Sequence, residues 1–176
     1  EKEGIKPISG STLNIARSSE DRPYEFLCLA KNIDGHKNLM HGLSKASRNQ
    51  SKSILYYDFL NICNDIFVIT GCENSEIFSL ILNDKENEAV ELIEKYKADF
   101  KNNFVIEIQN TGKESHKIFM ASILPIASRL SIPVIATNDV LFGDREDFEI
   151  HETKVCINSG KTLNDPNREK IYSEEQ

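Results

Sequence analysis

Two hydrophobic periods alternate along this chain. Short apolar runs at residues 5–8, 13–16, 24–30, 66–70, 104–108 and 133–137 predict strands, and the last begins Pro133-Val134-Ile135-Ala136-Thr137, a run fit for burial on both faces. Between them, apolar residues recur at helical spacing. Residues 34–47 predict a helix opened by Asp34, with Leu39, Met40 and Leu43 on one stripe. Residues 55–63 predict a second, residues 75–82 a third capped by Ser75, and Asn83 or Asp84 caps a fourth that carries Ala89, Leu92, Ile93 and Tyr96 on its apolar face. Residues 114–130 form a long amphipathic helix, and residues 17–23 a polar loop. Strands separated by helices imply mainly parallel pairing with right-handed crossovers, hence an α/β barrel or an open sheet.

A length of 176 residues with 39% hydrophobic and 28% charged side chains predicts one soluble domain with its own core. The net charge of −7 argues against a large nucleic-acid-binding face, so any contact with DNA is expected to be indirect. No apolar run approaches the length of a membrane span, which places the chain in the cytoplasm with no membrane partner. Cys28, Cys63, Cys72 and Cys156 are widely spaced with no CxxC pair, so neither a disulfide framework nor a zinc finger is expected. Cys28, Cys63 and Cys156 read as small buried hydrophobes. His36, His41 and His116 read as solvated groups on helix surfaces, and the acidic run from Asn83 to Glu94 as a solvated face that could also meet a basic partner.

Several separated words carry a further signal. They are Gly4-Ile5-Lys6-Pro7-Ile8 with Gly10, then Leu29-Ala30-Lys31-Asn32 with Gly35 and Asn38-Leu39, then Gly71-Cys72 before Glu76-Ile77, and last TNDV, DREDFEIHE and TLNDP between residues 137 and 166. In this order they resemble the PHP (polymerase and histidinol phosphatase) domain of the alpha subunits of bacterial DNA polymerase III. The resemblance covers nearly the whole chain. It implies an α/β fold that is part of a distorted seven-stranded βα barrel, with metals at the C-terminal mouth of the strands. It also implies that residues 1–176 are a single incomplete PHP domain: the opening strands with their His-x-His pair, the polymerase palm, fingers and thumb, and some residues around 49–53 are absent.

In metal-using members of that family, His, Asp, Glu and Cys side chains from successive strand ends hold up to three cations that activate water for phosphoester hydrolysis. The resemblance puts Cys72 and Asp139 at ligand positions of the usual type and Glu25 where a histidine is usual. Thr12 falls at an acidic ligand position, and Leu141 replaces a histidine. Losing both charge and donor atoms at Thr12 and Leu141 predicts a remnant site without metal, with an apolar, dry pocket at Leu141. Asp139, Cys72 and Glu25 are expected to lie together, with Thr12 and Leu141 alongside. His151-Glu152 reads either as part of a helical turn capped by Asp144 or as a catalytic pair, and adjacent helical residues pointing in different directions favour the turn.

By resemblance, then, the chain is a segment of a DNA-directed DNA polymerase. It is expected to be a non-catalytic scaffold that packs against the rest of the alpha subunit and docks the proofreading exonuclease subunit. Cofactors are not expected in the segment, with Mg serving the parent polymerase and Zn or Mn only if the PHP site is active. The competing readings are a metal-dependent phosphoesterase or 3'-5' exonuclease of the same family, and a stand-alone phosphatase of the histidinol-phosphate type, against which the words DREDFEIHE and TLNDP speak. A barrel without its opening strands leaves edges uncovered near residues 13–16 and 133–137, which predicts self-association or additional N-terminal residues that fill the gap.

Overall fold

The computed structural model describes residues 4–49, 52–70 and 73–168. Strand β1 (Gly10–Ala16) is joined to β2 (Tyr24–Ala30) by the polar loop at residues 17–23. That loop is too short for a helical crossover, so β2 returns antiparallel to β1. Helix α1 (Ile33–Ser47) then leads to the two-residue strand β3 (Ile54–Leu55), helix α2 (Tyr56–Leu60) and β4 (Ile66–Thr70). Helices α3 (Glu76–Leu82) and α4 (Glu86–Phe100), strand β5 (Phe104–Gln109), helix α5 (Glu114–Arg129), strand β6 (Val134–Thr137) and helix α6 (Phe148–Ser159) complete the order. The strands form one six-stranded sheet in the order β3-β1-β2-β4-β5-β6. Pairing is parallel except on both sides of β2, which corrects the expectation of a mainly parallel sheet at that strand. The chain is a mixed α/β fold whose described sheet ends at β3 and β6.

Residues 5–8 form no strand, and Ile5 and Ile8 are 70% and 71% exposed. The reason lies in β2: its last residue, Ala30, donates to the Ser9 carbonyl at 2.8 Å, so anything before Ser9 runs past the end of its partner. Helix α1 starts on Asn32, whose side chain accepts from the backbone of Asp34 and Gly35. Its buried stripe is Gly35, Leu39, Gly42 and Ala46, while Met40, expected on that stripe, is exposed. Gly35 lets the helix approach the turn before β4, since a Cβ there would lie 2.1 Å from the Asp65 carbonyl oxygen. The second helix, expected over residues 55–63, spans 56–60: Leu55 is drawn into the sheet beside β1, and Asn61 closes the other end by donating to the Asp58 carbonyl. Ser75 caps α3 as expected, accepting from Phe78. The cap of α4 falls instead on Lys85, because Asn83 closes α3 through Ser79 and Asp84 adopts a left-handed turn with φ 58°. The acidic run after α3 keeps its solvated reading, with Glu86, Glu88, Glu91 and Glu94 exposed.

Helices α1 to α5 cover one face of the sheet. Leu13, Phe26, Cys28, Val68, Phe104 and Ile106 point into a single core with Leu39, Phe59, Ile77, Ile93, Phe119 and Ile123, all buried. Phe26 meets Tyr96 and Phe100 edge to face at its centre, with Phe26 and Tyr96 centroids 5.3 Å apart. Cys28, Cys63 and Cys156 are free and buried. Burial pushes the Cys28 thiol up to about 12, with the neighbouring Cys63 adding to the shift, and burial also raises Cys63. The side chains that alternate with these core residues face the other way. Thr12, Leu27, Ile69 and Val105 form one row across that second face, with Leu29 and Phe67 on one side of the row and Glu25 and Glu107 on the other. Phe67 is 38% exposed there.

Candidate functional site

The second face deepens into a cavity of about 250 Å3 at the C-terminal ends of β4, β5 and β6. Thr12, Glu25, Glu107 and Gln109 reach it from the sheet, Glu73 and Asn74 from the loop after β4, and Asp139 from two residues past β6. Three of the positions expected to converge, Thr12, Glu25 and Asp139, therefore line one cavity. They arrive by different routes from those expected. Glu25 begins a strand that runs antiparallel, so its N-terminal end lies at the C-terminal ends of its neighbours, and Thr12 lies within β1 rather than after it. Cys72 lies outside the described residues. Leu141 does not line the cavity and is 39% exposed, so the expected dry plug is not formed; the cavity wall is polar except at Leu27.

Neutral donors hold Glu25 and Glu107. The Asn74 amide donates to Glu25 Oε2 at 2.8 Å, and the Glu25 backbone N–H donates to the Asn74 carbonyl at 3.2 Å. Glu107 is 5% exposed, and its Oε1 accepts from the Thr137 hydroxyl and from the Gln109 amide at 3.2 Å. Buried carboxylates need such partners. Glu107 was missed by sequence reasoning although its signal was present: a lone charge in the apolar strand Phe104-Val105-Ile106-Glu107-Ile108.

Behind Glu73 sits the one histidine that the sequence misplaced. His116 is 1% exposed, not solvated, because α5 turns it inward against the Phe78 ring. Its Nδ1 lies 3.4 Å from the Thr111 N–H and 3.1 Å from the Thr111 hydroxyl, so Nδ1 accepts and the ring proton sits on Nε2. Nε2 is 2.8 Å from Glu73 Oε1 but off the line of a good hydrogen bond; the well-directed partner of Glu73 is Lys113 Nζ, also at 2.8 Å. His36 accepts or donates through Nδ1 with the Ser9 hydroxyl at 2.8 Å, and His41 is exposed.

At the far loop, Asp144 and Asp147 form a reciprocal capping box, and the capped turn continues into the whole of α6. Glu152 lies within α6. It is 9% exposed and pairs with Arg168 at 2.6 Å.

Of the ligand positions that the resemblance implies, Glu25 and Asp139 line the cavity and Cys72 lies outside the described residues. Among the described residues no three His, Cys, Asp or Glu side chains converge as a metal-holding group. Glu25 and Glu107 already accept from amide and hydroxyl groups, and no histidine lines the cavity. No helix of the described residues is long and apolar enough to cross a membrane.

Residues 1–111 match the family model described as PHP domain. DNA polymerase III subunit alpha of Pseudomonas aeruginosa is 35% identical over 98% of this chain, that of Treponema pallidum 32% over 98%, and that of Escherichia coli K12 30% over 98%. The chain spans about 15% of the length of the Pseudomonas and Escherichia proteins and 16% of the Treponema protein. With more than half of its length matched by the family model, the chain belongs to the PHP domain family.

Proposed function

We propose that this chain is the PHP region of a bacterial DNA polymerase III alpha subunit, part of a distorted seven-stranded βα barrel, and that it serves as a non-catalytic scaffold. In this reading it supports the polymerase body in the cytoplasm and docks the proofreading exonuclease subunit. The parent is a DNA-directed DNA polymerase whose Mg-dependent nucleotidyl transfer belongs to a palm domain beyond these 176 residues. DNA is reached only indirectly, in keeping with a net charge of −7.

One observation supports the non-catalytic reading: Glu25 and Glu107 accept from neutral donors at the strand mouth, and no histidine lines the cavity. Metal-assisted hydrolysis requires several anionic or imidazole ligands whose lone pairs converge on a cation. Glu25 accepts through Oε2 from Asn74, and Glu107 through Oε1 from Thr137 and Gln109, which ties β2 to the loop after β4 and β5 to β6. The second reading is a metal-dependent phosphoesterase or 3'-5' exonuclease, favoured by the presence of Asp139 in the same cavity as Glu25 and Glu107.

Two measurements on the purified chain separate the readings. Size-exclusion chromatography with the proofreading exonuclease subunit of the same organism is expected to give a stable complex. Phosphomonoester and single-stranded DNA substrates with added Mn or Zn are expected to remain uncleaved. Metal-dependent cleavage that Asp139→Asn abolishes would replace the scaffold reading with the enzymatic one.

A further inference from the structure

The strand-mouth cavity is acidic without a cationic side chain in its lining. Glu25, Glu73, Glu107 and Asp139 reach it, and no lysine or arginine lines it. Glu73 is neutralised from behind by Lys113 Nζ at 2.8 Å. Glu25 and Glu107 are not, since their side-chain partners are the amide and hydroxyl groups of Asn74, Gln109 and Thr137. Glu107 is the decisive one. A carboxylate that is 5% exposed has lost most of its hydration, and its Oε2 accepts from no donor among the described residues. The little surface that Glu107 keeps opens into this cavity. A buried anion with one open oxygen is stabilised by a cation that can reach it.

Size discriminates between kinds of cation. A metal ion needs donor atoms that converge to within about 2.0–2.6 Å of one point. Among the described residues no three His, Cys, Asp or Glu side chains meet that condition. The cavity measures about 250 Å3, far more than a bare ion fills. Its carboxylates stand on separate elements, Glu25 on β2, Glu107 on β5 and Asp139 two residues past β6, and Leu27 adds an apolar stretch of wall. A guanidinium suits such a wall. It spreads one charge over a plane with five outward N–H donors, sheds water readily, and carries a methylene stem that can lie on an apolar side chain. An ammonium concentrates its charge at one strongly hydrated point.

We propose that the strand mouth is a receptor for a guanidinium, the head of one arginine side chain of a protein partner, held by Glu107 Oε2 and by the second oxygen of Glu25. The neutral contacts prepare this arrangement. Thr137 and Gln109 fix the Glu107 carboxylate through Oε1, and Asn74 fixes Glu25 through Oε2, so each carboxylate is oriented before the cation arrives. The proposal rests on the non-catalytic reading, because a mouth in which no metal sits is open to another cation.

The probe is glycyl-arginyl-glycine capped at both ends, titrated into the isotope-labelled 176-residue chain at low ionic strength and followed by amide chemical shifts. Saturable shifts are expected. Glu25→Gln and Glu107→Gln should each weaken binding about fivefold or more, as should exchange of the arginine for neutral citrulline, and exchange for lysine should weaken it less. Glu25 is half-buried and accepts its amide bond through one oxygen, so Glu25→Gln is expected to fold even if Glu107→Gln does not, which circular dichroism checks. Glu86→Gln, which removes the same charge from the exposed face of α4, is expected to leave binding unchanged. Free arginine, whose own carboxylate meets an acidic mouth, should bind more weakly than the peptide. No saturable binding, equal binding of the citrulline peptide, an equal effect of Glu86→Gln, tighter binding of free arginine, or displacement of the peptide by magnesium at equal concentration would each overturn the proposal. Failure to bind the peptide in metal-free protein overturns this proposal alone, whereas stoichiometric metal or metal-dependent cleavage overturns the non-catalytic reading.

Discussion

Glu25 and Asn74 hold each other by two hydrogen bonds, side chain to side chain at 2.8 Å and backbone to backbone at 3.2 Å. The pair closes the entrance of β2 against the loop that leaves β4. A carboxylate at a position where the family usually carries a histidine is thereby satisfied by an amide. Removing the amide with Asn74→Ala is expected to destabilise the fold by about 1 kcal/mol, a modest value because the pair is largely solvent-exposed. Urea unfolding measures it. Glu25→Ala should cost a similar amount, and the double variant less than the sum, since both remove the same bond.

Alkaline stability follows from the core thiol. Cys28 is pushed from 9.0 to about 12 by burial, so the folded state keeps a proton that the unfolded state releases first. Its contribution is complete below about pH 9 and is lost as pH rises through about 12. Stability is expected to fall across that window in denaturant titrations at stepped pH; Cys28→Ala should remove part of the fall, the rest coming from Cys63, Tyr56 and Tyr96, which burial also raises, while lowering stability at neutral pH by opening a small cavity. Cys28 is also expected to resist thiol reagents at pH 8 until the protein is unfolded.

Close approach of α1 depends on one glycine. A methyl group at Gly35 would sit 2.1 Å from a backbone oxygen, which cannot rotate away as a side chain could. Gly35→Ala is expected to cost about 3 kcal/mol, in contrast to the small gain that alanine usually brings inside a helix. Thermal denaturation of the variant against Gly42→Ala offers an internal control, because the nearest atom at Gly42 is the movable end of the Ile62 side chain.

How much of this was legible beforehand depends on which interaction decides each element. Strands with unbroken apolar runs, such as residues 66–70 and 104–108, and helices with a strong local cap, such as Ser75, were readable because their information is local. The direction of β2 was readable too, from a loop too short to carry a helix, but alternation of strands and helices elsewhere masked it. The convergence of Thr12, Glu25 and Asp139 came through family resemblance and not through periodicity. His116 was misplaced although it shares the helical stripe of Phe119, Ile123 and Ile126 in α5; its polar ring masked that period, and its contacts with Phe78 and Glu73 come from distant segments. Lys85 replaced Asn83 as a cap because the preceding helix claimed Asn83 first.

The uncovered sheet face bears on association. Leu27, Leu29 and Ile135 are half-buried and Phe67 is 38% exposed on the side away from the helices, and β6 is an edge strand. Covering an apolar patch of a few hundred Å2 is worth roughly 25 cal/mol per Å2 before association costs. Light scattering of the 176-residue chain is expected to show self-association that Phe67→Glu weakens. A monodisperse monomer at high concentration would mean that this face needs no cover.

The central claim, a PHP domain whose strand mouth is held by hydrogen bonds in place of cations, is tested most directly by elemental analysis of protein purified without chelator. The account predicts zinc, manganese and iron well below one atom per chain, unchanged by Glu25→Gln or Asp139→Asn. Stoichiometric metal that either substitution removes would contradict it.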